Sequence, residues 1–308
     1  MGKIKIGFLE VLKRTSYPTV GIIGGSGLDE IDGLRKIHWR KINSPFGKPS
    51  DHLCFGELEG IQFVFLPRHG RGHYIPPTEI NFLANIDALK RAGVTDIISL
   101  SAVGSFKKDL PPGKFVLVDQ FIDRTFSRVK SFFGKGCVAH VSMAEPVSKQ
   151  LGEIILSACK DSKISIRSGG TYLAIEGPQF STIAESLLYK NWGCSVIGMT
   201  NMPEAKLARE AEMGYATVAM VTDFDCWHHD HENVSVAQIM KIFSKNVDKA
   251  KKLIRSLPGK IKKYPWDWND PVYFSLDNAI ITSPKKINGK LAKKLDAVAG
   301  RVLKKSNK

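Results

Sequence analysis

The sequence predicts an α/β protein in which one mixed or largely parallel β-sheet is flanked by helices. Short apolar runs of strand length alternate with segments of helical periodicity along most of the chain. Such alternation is typical of folds whose helices cover the faces of a sheet. The chain has 308 residues, of which 43% are hydrophobic and 24% charged, a composition that suits a globular protein with a sizeable core. No run of about 18 apolar residues occurs, so we expect no membrane span.

Each element is assigned from its apolar pattern and from the residues that end it. Predicted strands cover residues 4–10, 19–23, 61–66, 96–100, 115–120, 170–175, 195–199 and 215–222. Predicted helices cover residues 77–91, 148–161, 181–192, 203–213 and 235–257. Pro77 and Thr78 mark the start of the first helix, and Gly93 marks its end. Residues 258–270 are expected to form a turn-rich connection, and residues 290–305 an amphipathic segment that is helical in part.

The net charge of +15 is concentrated near the C-terminus. Residues 241–263 and residues 284–308 each contain nine basic residues and one acidic residue. A nucleic-acid-binding domain would instead spread basic residues over a reading face with a recognisable motif. We therefore interpret the charge as solvated helix faces and a tail, although an anionic partner for the tail stays open. The predicted division is one domain over residues 1–283 and a basic C-terminal extension over residues 284–308.

The cysteines predict a reducing compartment. Five of them are scattered along the chain without a C-x-x-C pair, which fits the cytoplasm and argues against a structural zinc site. Residues 1–10 lack the apolar block of a signal peptide, so we do not expect export.

A glycine-rich turn follows the strand that opens the domain. Residues 20–28 read Val-Gly-Ile-Ile-Gly-Gly-Ser-Gly-Leu, and such glycines permit positive φ and a close approach of backbone to ligand. With the Ser26 hydroxyl, the backbone N–H groups of the turn are suited to an anion. Glu30 stands where the dinucleotide fingerprint needs its third glycine, and no lysine follows as in ATPase phosphate loops. A tight turn without a ligand is the alternative.

Small polar side chains follow several of the predicted strands. They are Ser26, Arg68 with His69, Ser101 with Ala102, Thr200 and Asp223. Because ligands bind at strand ends in sheets of this type, we expect these residues to form one pocket. One arginine, several hydroxyls and backbone donors suit free phosphate. These phosphate-binding groups, which exclude Asp223, lack the carboxylate that would hold Mg²⁺ in a kinase or ATPase.

Two carboxylates, Asp223 and Asp225, alternate on an extended segment and are expected to face one ligand. A carboxylate accepts a hydrogen bond from an exocyclic amine, and a protonated carboxyl donates one to a ring nitrogen. Their mutual repulsion would raise the pKa of one of them. The neighbouring Phe224 and Trp227 indicate a partly buried site, whereas a loop with two solvated acids is the alternative. The run His-His-Asp-His-Glu over residues 228–232 is interpreted as a polar loop or lid rather than a metal site.

A series of motifs also matches a known family in order. They include Gly-Gly-Ser-Gly-Leu at 24–28, Arg-His-Gly at 68–70, Asp-Gln-Phe-Ile-Asp-Arg-Thr at 119–125, Glu-Gly-Pro-Gln-Phe-Ser at 176–181, Met-Thr-x-x-Pro-Glu at 199–204 and Asp-Phe-Asp-Cys-Trp at 223–227. In these motifs the chain resembles the 5′-methylthioadenosine phosphorylases, in the trimeric branch of the purine nucleoside phosphorylases. The resemblance covers about residues 18–283 and implies a single-domain nucleoside phosphorylase fold, with a central mixed β-sheet flanked by helices.

This resemblance implies phosphorolysis of methylthioadenosine to adenine and 5-methylthioribose 1-phosphate, with phosphate as co-substrate and no metal or organic cofactor. The implied phosphate-binding residues are Ser26, Arg68, His69, Ser101, Ala102 and Thr200. The implied nucleoside-binding residues are Met199 under the ribose, Phe180 and Ser181 at the base, Val236 and Ile239 at the methylthio group, and His140 from a neighbouring subunit. The implied catalytic residues are Asp223 and Asp225, at the adenine edge. A homotrimer or a dimer of trimers is implied.

The choice of base follows from two positions. Relatives in this branch that act on inosine or guanosine typically place asparagine where Asp223 stands and glutamate where Ser181 stands. The chain therefore favours a 6-aminopurine, whose amino group donates to a carboxylate. The alternatives are a purine nucleoside or methylthioinosine phosphorylase acting on 6-oxopurines, and, in another class, a nucleic-acid-binding protein that uses the basic C-terminus. We do not expect nucleic acid to be the main partner.

Overall fold

The computed structural model describes residues 16–25, 27, 28, 30–228 and 236–304, without the side chains of residues 236–239. The strands are β1 (Val20–Gly24), β2 (Arg35–Arg40), β3 (Leu53–Leu58), β4 (Ile61–Pro67), β5 (Asp96–Ser105), β6 (Phe115–Val118), β7 (Gln120–Arg124), β8 (Ile166–Ser168), β9 (Thr171–Ile175), β10 (Val196–Gly198) and β11 (Gly214–Asp223). The helices are α1 (Phe82–Arg91), α2 (Lys149–Asp161), α3 (Ile183–Asn191), α4 (Glu204–Glu210), α5 (Val236–Lys263), α6 (Gly289–Lys294) and α7 (Gly300–Leu303). The strand predicted over residues 4–10 lies outside the described residues.

The strands form one mixed sheet. Its main path runs β2-β3-β4-β1-β5-β10-β9-β7, while β11 pairs with β5 and β6, and β6 pairs with β8. Strands β4, β1, β5 and β11 lie side by side in this order, and each pairs in parallel with the next. Strand β10 runs antiparallel to the end of β5, and β6 runs antiparallel to β11. The predicted α/β class, with a mixed central sheet and flanking helices, is confirmed.

The core lies on both faces of this sheet. On one face, α1 and α4 contribute buried residues such as Ile86 and Leu207. On the other face, α2 and α5 contribute Ile155 and Leu253. Strand β11 is buried at every position before Asp223, as expected for a strand covered on both faces, whose sequence is a continuous apolar run rather than an alternation. The central strands are therefore readable from sequence.

Strands β2, β3, β7 and β8 were missing from the sequence-based assignment. The reason is clearest for β2, which lies at the edge of the sheet and has the sequence Arg-Lys-Ile-His-Trp-Arg, exposed at all positions but Trp39. An edge strand with charged side chains has no apolar face to show periodicity, and its charges discourage pairing with another chain. Hydrophobic pattern therefore identifies only the strands that bury a face.

Two helix boundaries differ from the prediction. Helix α1 begins at Phe82, because the Asn81 side chain accepts a hydrogen bond from the Ala84 N–H at 3.0 Å, and Pro77–Glu79 form a separate 3₁₀ turn. Helix α5 continues through Pro258 to Lys263, in place of the expected connection. Leu257 and Ile261 are fully buried on either side of that proline, so packing outweighs the missing backbone hydrogen bond.

Residues 284–304 pack against the rest of the domain. Leu295 and Val298 are buried in the same core cluster as α1 and α4. Arg301 forms ion pairs with Glu212 and Asp277, both at 2.5 Å. The described part of the predicted extension therefore shares its core with the preceding residues, and it contains the short helices α6 and α7 separated by a turn.

The described helices include none with both the length and the apolar character needed to cross a membrane.

Candidate active site

Strand directions bring the predicted phosphate residues to one edge of the sheet. Because β4, β1 and β5 are parallel, Arg68 follows β4 at the same end at which the glycine-rich turn follows β1. The backbone N–H of Arg68 donates to the carbonyl of Gly24 at 2.9 Å. Thr200 follows β10, which runs antiparallel to the end of β5 with Ile197 paired to Gly104. The chain after β10 therefore runs back along β5 toward Ser101.

Three buried hydroxyls meet at this edge. Ser101 Oγ lies 2.8 Å from Thr200 Oγ1 and 3.1 Å from the hydroxyl of Tyr172. Tyr172 was absent from the sequence-predicted site, although its hydroxyl is also 3.4 Å from Thr200 Oγ1. The signal that marks it is Gly198, where an added Cβ would lie 2.0 Å from the Tyr172 hydroxyl. The small residue leaves the space in which this cluster forms.

The fit at Gly198 leads to a stability prediction. Replacing Gly198 with alanine should lower the free energy of unfolding by about 1–3 kcal/mol, because the methyl group displaces a tyrosine in a rigid core. The control is Gly259→Ala, at a helical position where an added Cβ meets nothing within 4 Å. That control should raise stability by up to about 1 kcal/mol through helix propensity. Urea unfolding measures both, and equal stability of the two variants would contradict the assignment of Tyr172 to a rigid site.

Arg68 is buried and largely engaged by protein groups. Its Nε donates to Glu204 Oε2 at 3.0 Å, Nη1 donates to the Leu100 carbonyl at 3.0 Å, and Nη2 donates to Ser99 Oγ at 2.5 Å. Burial, the largest single influence, would lower the pKa of Arg68, but the charge and the hydrogen bond of Glu204, with smaller contributions from Tyr215 and Tyr172, together raise it above its ordinary value. Within the described residues, an N–H of Nη1 is left without an acceptor. Arg68 therefore offers an anion its positive charge and this one N–H donor, because protein groups accept from the rest of the guanidinium.

His69 is oriented by the backbone and is neutral at pH 7. Its Nδ1 lies 2.9 Å from the Ile75 carbonyl, and its ring stacks on that of His73 at 4.2 Å between centroids. Burial and the neighbouring Arg68 charge lower the pKa of His69 to about 4. A neutral ring that donates from Nδ1 has an acceptor at Nε2, so His69 suits an anion that still carries a proton.

Asp223 and Asp225 lie together over Gly104. A β-bulge between Val221 and Asp223 sets this register, and a Cβ on Gly104 would lie 3.0 Å from Asp223 Oδ1 and 3.3 Å from Asp225 Cβ. Asp223 Oδ2 accepts a hydrogen bond from Thr222 Oγ1 at 2.7 Å. Burial, with a contribution from the Asp225 charge, raises the pKa of Asp223 to about 6. Its carboxyl can therefore exchange a proton near neutral pH.

Asp225 is held by helix α3. Its carboxylate accepts a hydrogen bond from Ser186, a fully buried residue of α3. Burial raises the pKa of Asp225. Ser181 lies close by, since its carbonyl is 3.4 Å from the sulfur of Cys226, and its buried Oγ has no protein partner among the described residues. A buried hydroxyl without a partner, on a segment that contacts the residue after Asp225, suits a polar ligand.

Met199 and Phe180 lie at the loop that contains Gly177. A Cβ on Gly177 would lie 2.6 Å from the Met199 sulfur, so the loop approaches Met199 closely, at a backbone φ of 70°. The Phe180 side chain is 57% exposed and is available to cover a ligand. Neither residue makes a polar contact that would define its role.

A buried ion pair that the sequence analysis missed joins this loop to the phosphate side. Arg128 Nε donates to Glu176 Oε1 at 3.0 Å, and Nη1 donates to the Met202 carbonyl at 2.7 Å. Arg128 thus connects the segment before Phe180 with the segment after Thr200. Arg128 and Glu176 lie far apart in sequence, without a spacing that would pair them.

Four predicted site residues are not brought into this arrangement. Ser26 and the side chains of Val236 and Ile239 lie outside the described residues. Phe243, one turn further along α5, would be 3.2 Å from a Cβ on Gly25, so the helix passes beside the glycine-rich turn. His140 is exposed, and its N–H donates to the Ala279 carbonyl.

Across the ranges that can be described, no three His, Cys, Asp or Glu side chains are grouped to hold a metal ion. Most of the acidic and histidine-rich run at 228–232 is outside those ranges, so the absence of a metal there stays a prediction.

Comparison with known proteins identifies the family. The family model described as the phosphorylase superfamily matches residues 19–257. An S-methyl-5′-thioadenosine phosphorylase from Rhodospirillum rubrum is 61% identical over 93% of this chain and 97% of its own length, and one from Geobacter sulfurreducens is 48% identical over 91% and 98%. A crystal structure of a methylthioadenosine phosphorylase from an antarctic soil metagenomic library superposes with a TM-score of 0.87 and 42% identity, over 92% of this chain and 99% of that one. The methylthioadenosine phosphorylase of Schistosoma mansoni in complex with adenine superposes with a TM-score of 0.78 and 37% identity, over 84% and 96%. The chain therefore belongs to the phosphorylase superfamily, in the family of the S-methyl-5′-thioadenosine phosphorylases.

Proposed function

We propose that this protein catalyses the phosphorolysis of 5′-methylthioadenosine to adenine and 5-methylthioribose 1-phosphate. The observation that carries the proposal is the position of Asp223 relative to Ser101. Asp223 pairs with Gly104 of strand β5, and Gly104 lies three positions beyond Ser101 on the same strand. A group that can protonate a base thus lies beside hydroxyls and an arginine that suit phosphate. The family of the chain supports the same reaction.

The chemistry follows from these groups. As the bond from C1′ to N9 breaks, its electron pair goes to adenine and positive charge develops on the ribose. The bound phosphate stabilises that charge and forms the new bond to C1′, and its placement is the work of Arg68, Ser101 and Thr200. Asp223 protonates or shares a proton with N7 of the departing adenine. The proposed reaction uses phosphate as co-substrate and needs no metal or organic cofactor.

Base selection is assigned to Asp223 and Ser181. The carboxylate accepts a hydrogen bond from the 6-amino group, whereas a 6-oxo group would place two acceptors against each other. The unpartnered Ser181 hydroxyl supplies a further polar contact at this edge. We therefore propose 6-aminopurines as the preferred bases.

The two carboxylates predict a shift in the pH profile. Because the Asp225 charge adds to burial in raising the pKa of Asp223 to about 6, Asp225→Asn should lower that pKa. The protonated form of Asp223 is then lost at a lower pH, so the alkaline limb of kcat/KM should move by about one pH unit or less toward acid. Asparagine keeps an acceptor for Ser186, which makes the change conservative. A limb that stays in place or moves toward alkaline pH would contradict the coupling.

We further propose that the active unit is a homotrimer, alone or as a dimer of trimers. His140 lies two positions from Val138, whose exposed apolar side chain belongs to the residue paired with exposed Ile281 on the neighbouring segment. A second exposed apolar stripe lies on α3 and its end, at Ile183, Leu187, Leu188 and Trp192. A closed ring of heterologous contacts requires two different surfaces on each subunit. In such a ring His140 would reach the 5′ end of a neighbour's nucleoside, beside Val236 and Ile239.

Sedimentation velocity tests this assembly directly. Three or six chains per particle are expected, and a monomer at working concentration would overturn the proposed role of His140. We also propose a cytoplasmic location, since no disulfide joins any of the five cysteines, all of which lie in the described residues, as suits a reducing compartment.

The experiment that tests the function measures release of free base from methylthioadenosine, adenosine and inosine, each with and without phosphate. Adenine released mainly from methylthioadenosine, and only with phosphate, is expected. Equal or better use of adenosine would contradict an apolar 5′ pocket at Val236 and Ile239. Hypoxanthine released from inosine in preference would instead indicate a 6-oxopurine nucleoside phosphorylase.

A further inference from the structure

A buried run of hydrogen bonds leads away from the hydroxyl cluster into the core. Thr200 Oγ1 donates to Asn201 Oδ1 at 2.9 Å, and the Asn201 amide nitrogen donates to Thr217 Oγ1. Asn201 and Thr217 are both fully buried. Asn201 has a backbone φ of 69°, a conformation that asparagine tolerates better than most residues. Its side chain therefore connects the segment after β10 to the middle of β11.

The same run continues to the arginine of the phosphate site. The Thr217 hydroxyl donates to the hydroxyl of Tyr215 at 3.0 Å, and that hydroxyl donates to Glu204 Oε1 at 2.8 Å. Glu204 in turn forms the buried ion pair with Arg68 at 3.0 Å. The hydroxyl side and the cationic side of the phosphate site are thus joined behind the pocket by one continuous set of partners.

The bonds in this run all point the same way. Because a hydroxyl has a single proton and Thr200 gives its proton to Asn201, Thr200 acts as the acceptor in its contact with Ser101, whose hydroxyl also lies 3.3 Å from the Ala102 carbonyl. Each later member accepts from the one before it and donates to the one after it, and the run ends on the carboxylate of Glu204. A buried network of this kind restricts the motion of its members, and loss of one member leaves its neighbours unpaired.

We propose that Asn201, Thr217 and Tyr215 are positioning residues for phosphate. They touch no substrate, and they hold Thr200 and Ser101 in a fixed relation to Arg68, so that the arriving anion meets donors already in place. This inference rests on the proposed phosphorolysis. It predicts that cutting the run behind the pocket weakens phosphate binding and leaves nucleoside binding almost unchanged.

The test uses Thr217→Val, which replaces the hydroxyl by a methyl group, and Thr217→Ser, which keeps the hydroxyl and loses the methyl group. Thr217→Val should raise the KM for phosphate about tenfold, with a KM for methylthioadenosine within about twofold of wild type. Thr217→Ser should restore the wild-type KM for phosphate. A change in both KM values, or no rescue by serine, would indicate a general packing defect and overturn the proposal.

A double-mutant cycle separates the network from independent damage. Tyr215→Phe cuts the same run at its next bond, so Thr217→Val combined with Tyr215→Phe should raise the KM for phosphate no further than either change alone. Multiplied effects of the two changes would show that they act separately and would overturn the proposal.

A direct binding measurement keeps this inference distinct from the proposed function. Thermal protection by inorganic phosphate alone should be weaker in Thr217→Val than in wild type at the same phosphate concentration. Wild-type protein that is protected by phosphate but releases no base would overturn the phosphorolysis and leave the positioning role standing. Equal protection of wild type and Thr217→Val would overturn the positioning role alone.

Discussion

Replacing Asp223 with asparagine is expected to lower the turnover of methylthioadenosine by about 100-fold or more, as loss of a proton-transfer group does. Burial, together with the Asp225 charge, raises the pKa of Asp223 to about 6, so the carboxyl can give or share a proton near neutral pH. An amide cannot do so. It would also turn either an acceptor or a donor toward the 6-amino group, depending on its orientation. Single-turnover measurement of adenine release reports the chemical step.

The matched control is Asp32→Asn, which removes an acid whose side chain is 92% exposed and pairs with Arg255 at 3.4 Å. That variant should keep the wild-type rate. The Asp223 variant should in addition lose selectivity against 6-oxopurine nucleosides, because an amide can donate to a 6-oxo group. Unchanged turnover of methylthioadenosine by Asp223→Asn would remove Asp223 from the proposed mechanism.

Replacing Glu204 with glutamine is expected to lower the free energy of unfolding by about 3–5 kcal/mol, because the Arg68 charge is left buried without its counter-ion. Both side chains are almost completely buried, at 3% and 2% exposure. The same change should weaken phosphate binding, since it frees the guanidinium to move. Chemical denaturation and the KM for phosphate measure the two effects.

The pH dependence of this pair has a definite sign. Burial, the largest single influence, would raise the pKa of Glu204, but the Arg68 charge and the hydrogen bonds from Arg68, Ser99 and Tyr215 together hold the pKa below its ordinary value of 4.5. The contribution of the Arg68–Glu204 ion pair to the free energy of unfolding is therefore present above about pH 4.5 and is lost as the pH falls further. The Glu204→Gln variant should therefore not show the loss of stability that protonation of Glu204 causes at acid pH.

The control for Glu204→Gln combines Arg68→Met with Glu204→Leu. Replacing both charges by apolar groups of similar size should recover most of the stability, but not phosphate binding. A double variant that binds phosphate as wild type does would contradict the role of Arg68. Wild-type stability in Glu204→Gln would contradict the structural role of the pair.

Sequence patterns identified the parts of the molecule that depend on local rules. The central strands are nearly continuous apolar runs, so β1, β4, β5 and β11 were recognised. The rule that ligands bind at the carboxyl ends of parallel strands placed Arg68 and Ser101 in one pocket, and the structure brings them to the same edge. The edge strand β2 and the helix through Pro258 were missed, because exposure and tertiary packing decide them.

The α/β class, the family and most of the polar residues at the edge of the sheet could therefore be predicted from the residues alone, because each depends on residue type and local order. The pairing of distant side chains behind those residues follows from the three-dimensional fold. Tyr172 meets Ser101 because Gly198 leaves room, and Glu204 takes the fork of Arg68 across 136 positions of chain. Hydrogen bonds between residues so far apart leave no periodic mark in a sequence, since the fold alone sets their distances.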